Sequence, residues 1–305
     1  MHNTQKTWIS VVLLATLWYL PATMATPKDA KPESAERLLD EATQAYRITD
    51  FPAAQAFATA AVEACSTALA QNSDAPKLYA QRSSAHAMLM NFEKAIADLN
   101  KALKLDSGLT PLYDQRGDVY FKMGKFKKAV VDYDRFLERH PRYTPRHWRR
   151  GIAYYYTQQY VEGQKQFEGY QTFDSTDVEN AVWRYLCMAR KFDSEKARGE
   201  LLKIGDDRRV PMRQIYELFA GNLKPDNVLT AARAGAPIPK VLNRQLFYAH
   251  LYLGLFYETE RKMDLARKHM FAAEEKRIGH FMWDVARVHA DLFRRDSDEA
   301  QKNSR

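Results

Sequence analysis

The stretch PLYDQRGDVYFKMGKFKKAVVDYDRFLERHP, residues 111–141, decides the architecture. It places Tyr113, Arg116, Gly117 and Tyr120 in one helical run and Ala129 and Tyr133 in a second, with Phe126 at the junction and Pro141 beyond. Shifted back by 34 residues, the same places hold Tyr79, Arg82, Ser83, His86, Ala95 and Leu99; shifted forward, they hold His147, Arg150, Gly151, Tyr154, Gly163 and Phe167. The junction aromatics Phe92, Phe126 and Tyr160 keep the same phase. Self-similarity at this period is the mark of stacked helical hairpins.

The spacing has a physical meaning. A Gly or Ala where two short antiparallel helices cross lets their backbones approach, and aromatic rings fill the space around the contact. One such hairpin cannot bury its apolar face alone, so at least three stack and the terminal ones are atypical. The pattern resembles the tetratricopeptide repeat family, with its W-x2-L-G-x2-Y, A-x3-F and P places. That resemblance implies an all-α superhelical solenoid that holds other proteins in a concave groove. Composition agrees: 12 Gly and 12 Pro in 305 residues are few beside abundant helix formers, which disfavours turn-rich β architecture.

Outward from the repeats the pattern loosens. An N-terminal pair, Ala35–Ile48 and Pro52–Ala70, turns at Phe51. From Phe51 to Tyr79 is 28 residues against 21 from Phe92 to Tyr113, an excess of seven, or about two helical turns, which lengthens the second helix and keeps its face. Four helical stretches follow the repeats: Asp177–Lys191, Ser194–Ile204, Pro211–Gly221 and Pro225–Gly235. The repeat pattern returns at His250, Leu253, Gly254, Tyr257, Ala266, Met270 and Ala273, and Phe281–Phe293 forms an amphipathic closing helix. The expected organisation is a signal segment at 1–25, a linker at 26–34, a degenerate capping pair at 35–72 and three tandem units at 75–172. Irregular pairs at 176–240, a returning unit with its closing helix at 243–293 and a disordered tail at 294–305 complete it.

The N-terminal stretch WISVVLLATLWYL, Trp8–Leu20, is too short to span a bilayer and suits the apolar region of an export signal. Thr23 and Ala25 have the small-residue spacing of a cleavage site, which predicts a cut after Ala25 and no membrane span in the mature chain. The net charge is +8, and +7 without residues 1–25, which carry Lys6 and no acid. A basic exported protein meets acidic partners or anionic wall material, not nucleic acid. Cys65 and Cys187 lie in apolar helical surroundings and read as buried free thiols.

From Trp148 to Phe293 the chain resembles more narrowly the NlpI family of bacterial envelope repeat proteins, through RGIAYYY at 150–156, WRYL at 183–186, IYELFAGNL at 215–223 and FYAHLYLGLFYE at 247–258. The resemblance covers about half the chain. It implies an adaptor joining peptidoglycan hydrolases to a processing protease, lipid-anchored and homodimeric. No cysteine lies near the predicted cut, so the lipid attachment of that family is not expected here.

By repeat phase, Asp114, Asp118, Phe121, Trp148, Arg149, Ile152, Tyr155 and Tyr156 are candidates for the partner-binding groove, since aromatic and Arg side chains dominate binding energy. Tyr154 belongs to the core. The stretch RHPRYTPRHWRR, with Arg139, Arg142, Arg146 and Arg150 among Tyr143 and Trp148, offers an alternative: a basic patch for an anionic wall polymer or glycan. The carboxylate-clamping Lys and Arg placements of chaperone-tail binders are not reproduced. His280, Asp284 and His289 share a helix, but His289 turns away from the other two. No H-E-x-x-H, paired cysteines or G-x-S-x-G occurs, so no catalytic residue, metal or cofactor is expected.

Overall fold

The computed structural model describes residues 32–303, and the predicted export segment lies outside them. Four helical hairpins come first: α1 (Pro32–Arg47) with α2 (Phe51–Gln71), α3 (Pro76–Met88) with α4 (Phe92–Leu105), α5 (Pro111–Lys122) with α6 (Phe126–Arg139), and, after a 3-10 turn at Pro141–Tyr143, α7 (Trp148–Tyr156) with α8 (Tyr160–Tyr170). Then come α9 (Val178–Lys191), α10 (Ser194–Gly199), α11 (Met212–Phe219) and α12 (Pro225–Arg233). The chain finishes with α13 (Pro239–Thr259), α14 (Met263–Glu275) and α15 (Phe281–Asn303). No strand occurs among the described residues. The lengthened second helix is present: α2 has 21 residues where α4 and α6 have 14.

The 34-residue phase recurs as three physical features. At the hairpin crossings, a Cβ added to Gly117 would stand 2.6 Å from the Tyr133 ring, and one at Gly151 2.7 Å from that of Phe167, so only glycine allows the approach. At the turns, Met90, Gly124 and Gln158 all adopt positive φ, 59°, 71° and 62°, the left-handed residue that ends a helix. Between hairpins runs a ladder of arginines. Arg82 donates through Nε and Nη2 to Asp98 (2.8 and 2.7 Å) and through Nη1 back to Ser66 (3.1 Å). Arg116 does the same to Asp132 (2.6 and 2.8 Å) and Asn100 (2.8 Å), and Arg150 to Gln166 (2.9 and 2.7 Å) and Asp134 (2.9 Å). Each guanidinium ties its own hairpin's second helix to that of the hairpin before. A fourth rung, Arg184, bonds Glu168 (2.9 Å) and the Glu200 carbonyl (2.6 Å), carrying the phase into the irregular region.

Two expectations are corrected. The helix foreseen to Ile204 stops at Gly199, because Arg184 takes the Glu200 carbonyl and Gly205 N–H donates to the Ser175 carbonyl (2.9 Å), drawing 200–211 out as a strap along α9. The tail foreseen as disordered from 294 continues α15 to Asn303. Arg294 there pairs with Asp291 (2.7 Å) and with Glu274 of α14.

The core is small and alanine-rich under α1–α3, and continuous from Phe121 to Phe293, with Trp183, Tyr185, Tyr252 and Phe247 fully buried. Cys65 and Cys187 are buried free thiols, both pushed up by burial, Cys65 to about 11. His250 Nδ1 faces His269 Nδ1 at 2.9 Å, so one proton fits between them.

Arg116→Ala takes from Asp132, 2% exposed, its two short hydrogen bonds and leaves only Arg135 at 3.9 Å as counter-charge, and should lower stability by about 3–5 kcal/mol in urea titration. Gly151→Ala should cost about 1–3 kcal/mol by overpacking against Phe167. Burial, then the neighbouring His269 and basic residues, push His250 down to about 4. A depressed histidine binds fewer protons folded than unfolded, so stability rises with pH through this window. The melting temperature should therefore fall between pH 6.5 and pH 4, and His250→Gln should flatten that slope.

Candidate protein-binding site

The first question is where the fold puts the predicted groove residues. Arg149 lies between two carboxylates. Its Nη2 donates to Asp114 (2.7 Å), and its Nε lies 2.7 Å from Asp118 at an angle that makes an ion pair and not a hydrogen bond. His147 Nδ1 accepts from the Arg150 N–H (3.2 Å), which leaves the proton on Nε2 to donate to Asp114 (2.8 Å). The Tyr133 hydroxyl donates to Asp118 (2.8 Å). Burial raises Asp118 above the usual carboxylate range, while hydrogen bonds from His147 and Arg149 hold Asp114 below it against the same burial. The charges of the cluster are paired within the chain.

Phe121, Ile152 and Tyr155 are buried; Tyr155 packs on Trp183 of α9 (5.5 Å) and Tyr160 of α8 (5.9 Å), whereas Phe121 is covered by α15. Its first residue, Phe281, packs on Phe121 (5.1 Å) and edge-on to Trp148 (5.6 Å), while the preceding His280 stacks on Trp148 (6.1 Å). His289 meets the Tyr156 hydroxyl (2.9 Å). Asp284 pairs with Lys122 (3.4 Å), and Arg287 donates to the Lys122 carbonyl (2.6 Å). The closing helix thus packs on α14 and also crosses the concave face to α5. Met282, Val285, Val288 and Phe293 are at most 3% exposed, and at about 1.5–3 kcal/mol each their burial is comparable to the whole stability of a typical domain. A partner that displaced α15 would have to offset that burial. Of the eight predicted residues, Phe121, Trp148 and Tyr156 lie against the chain's own closing helix, Asp114, Asp118 and Arg149 are engaged with one another, and Ile152 and Tyr155 are in the core.

The basic stretch divides. Arg149 and Arg150 are held internally, so Arg150 does not belong to a surface patch. Arg139, Arg142 and Arg146 are exposed, with Arg146 over the rings of Tyr143 (4.1 Å) and Phe173 (5.6 Å).

What stays open is a groove of about 990 Å³ between the α1–α2 turn, the strap at 208–210, the first half of α13 and the segment 277–280. Six cations line it, Arg47, Arg208, Arg209, Lys240, Arg244 and Arg277, with no carboxylate among the lining residues. Arg209 is engaged by Asp177 (2.6 Å), Glu179 (2.8 Å) and Asp207 (2.6 Å). Through Arg209 and His280 the groove shares a wall with a recess of about 170 Å³ lined by Trp148, Phe167, Tyr170, Trp183, Asn180 and Glu179. Burial, then Asp177, push Glu179 up to about 7, while Arg209 and the Tyr252 hydroxyl (2.7 Å) oppose the rise. Four buried polar atoms along this surface have no hydrogen-bond partner in the chain: Arg277 Nε, Gln245 Oε1, Asn180 Oδ1 and Trp183 Nε1. Such a group costs about 1–3 kcal/mol when left unpaired. None of the groove cations was foreseen from sequence. They come from turns and helix ends some 230 residues apart (277 − 47) and belong to no periodic pattern.

Residues 76–108 and 110–143 match the tetratricopeptide repeat family model, so α3–α4 and α5–α6 are repeats of that type, and the same 34-residue geometry continues through α7–α8. No curated protein matches the chain. Among solved structures it is similar to a tetratricopeptide repeat protein from Parabacteroides merdae, at 14% identity over 85% of this chain and 98% of that one, with a TM-score of 0.47. It is also similar to MamA from Desulfovibrio magneticus, at 17% identity over 56% and 92% with a TM-score of 0.46. PilF of Pseudomonas aeruginosa is 13% identical over 84% and 98%, with a TM-score of 0.42. The described residues form an all-α stack of helical hairpins, of which α3–α6 are of tetratricopeptide type.

Gly279 holds the groove's floor. A Cβ there would run into the carbonyl of Tyr46 and meet Arg47 Cα at 2.9 Å, backbone that cannot swing aside. Gly279→Ala should therefore part the 277–280 segment from the end of α1. Hydrogen exchange should rise at both places, with a loss of about 1–3 kcal/mol in urea titration.

Proposed function

We propose that this chain is a non-enzymatic adaptor of the bacterial cell envelope, exported by its N-terminal segment and holding a segment of a partner protein in the groove beside α13. The observation that carries the reading is the open groove itself. The solenoid fills its concave face with its own α15 yet keeps a cleft of about 990 Å³ lined by cations, beside a recess with unpaired polar atoms. A rigid stack with one side closed presents that cleft in a fixed shape, which lowers the entropic cost of binding. Residues 8–20 support export, and no helix among the described residues is long and apolar enough to cross a membrane. The resemblance to the NlpI family supports peptidoglycan hydrolases and a processing protease as the partner class, together with homodimerisation.

Photo-cross-linking in the intact envelope tests this. A cross-linker at Lys240, on the groove rim, should capture envelope proteins that one at Glu138, exposed on α6, does not, and the captured chain should begin at Thr26. A chain that stays uncleaved in the cytosol, or gives identical adducts from both positions, would remove the reading.

A further inference from the structure

The groove beside α13 gathers cations from both ends of the solenoid. Arg47, Lys240 and Arg244 are exposed cations with no carboxylate partner among the described residues, and Arg277 is held only by ring contacts, over Phe51 (4.2 Å) and Trp283 (4.9 Å), with its Nε unpaired. Arg82, Arg116 and Arg149, by contrast, each lie within 2.7 Å of a carboxylate. Like charges gathered on one cleft repel one another within the screening length of physiological salt, about 8 Å, unless an anion sits among them. We propose that the groove binds an acidic, extended segment of a partner protein, its carboxylates on Arg47, Lys240, Arg244 and Arg277 and one side chain entering the recess between Trp148 and Trp183. This rests on the adaptor reading and names the chemistry of its partner.

The recess argues for a peptide over a polyanion. Its unpaired groups are one donor, Trp183 Nε1, and one acceptor, Asn180 Oδ1, both on residues at most 3% exposed. An Asn or Gln side chain, or a peptide group, offers the complementary acceptor and donor together. A phosphate offers only acceptors. It would also meet Asp177, Glu179 and Asp207, the three carboxylates gathered round Arg209 at that end. A run of phosphates is favoured along the cationic groove and disfavoured at its end, whereas acidic residues followed by an amide suit both.

Fluorescence anisotropy on the full chain tests this with a labelled peptide of several Glu followed by one Asn. The peptide should bind, its Gln-for-Glu isostere should bind at least about tenfold more weakly, and affinity should fall as salt rises. Arg47→Glu with Arg244→Glu should weaken binding by about tenfold or more with the melting temperature unchanged, since both side chains are exposed. A benzophenone beside the Asn should label the segments around Trp148, Trp183 or Met282. Equal binding of peptide and isostere, an unaffected double variant, labelling elsewhere, or an oligothymidylate that outcompetes the peptide would each overturn the acidic-peptide occupant. If envelope cross-linking from Lys240 still captures partners in that case, the adaptor reading survives; if it captures none while the peptide binds, that reading fails separately.

Discussion

A guanidinium bridging the second helices of successive hairpins is the interaction on which the stack depends. Arg82, Arg116 and Arg150 each reach sixteen residues forward and sixteen back, so a single side chain measures the register of two hairpins at once. The partner carboxylates Asp98 and Asp132 are at most 6% exposed. Any slip that left one without its arginine would strand a charge in a place water cannot reach. Hydrophobic contact alone would tolerate several registers, because the alanines and aromatics that pack between helices are non-directional. The ladder removes that freedom.

Fixing the register has a geometric consequence at the far end of the molecule. Stacked hairpins with a constant offset curve, and the curve carries α15 back across the concave face until Phe281 meets Phe121 and Gly279 meets Tyr46. The protein thus seals its own concave surface with a helix whose apolar residues are as buried as any in the core. Recognition moves to the seam where the two ends of the solenoid meet, the cationic cleft between the α1–α2 turn, α13 and 277–280. There Arg277 has no carboxylate partner among the described residues, in contrast to Arg149, which lies between Asp114 and Asp118.

Local pattern carried much of this. The hairpins, their crossing glycines, the seven-residue extension of α2 and the in-phase arginines were legible because they are set by residues within one repeat length. Arg149 and Arg150 show where legibility ends. Both stand in a run of cations that reads as a surface patch, and nothing local says that Asp114 and Asp118 lie one repeat back to hold the first, or that Gln166 and Asp134 hold the second. The early end of α10 at Gly199 was hidden for the same reason, since the groups that divert the chain, Arg184 and Ser175, belong to other segments.

By itself the sequence determined the all-α class, the hairpin unit and its period, because helix packing within a repeat is a matter of spacing along a few turns. Only the tertiary structure decided which surface stays free. Whether a groove residue faces solvent depends on what returns to cover it, and α15 returns from some 160 residues away (281 − 121). The groove cations Arg47, Lys240, Arg244 and Arg277 likewise become a set only when the two ends of the solenoid close on each other, since charge is additive in space and blind to chain order.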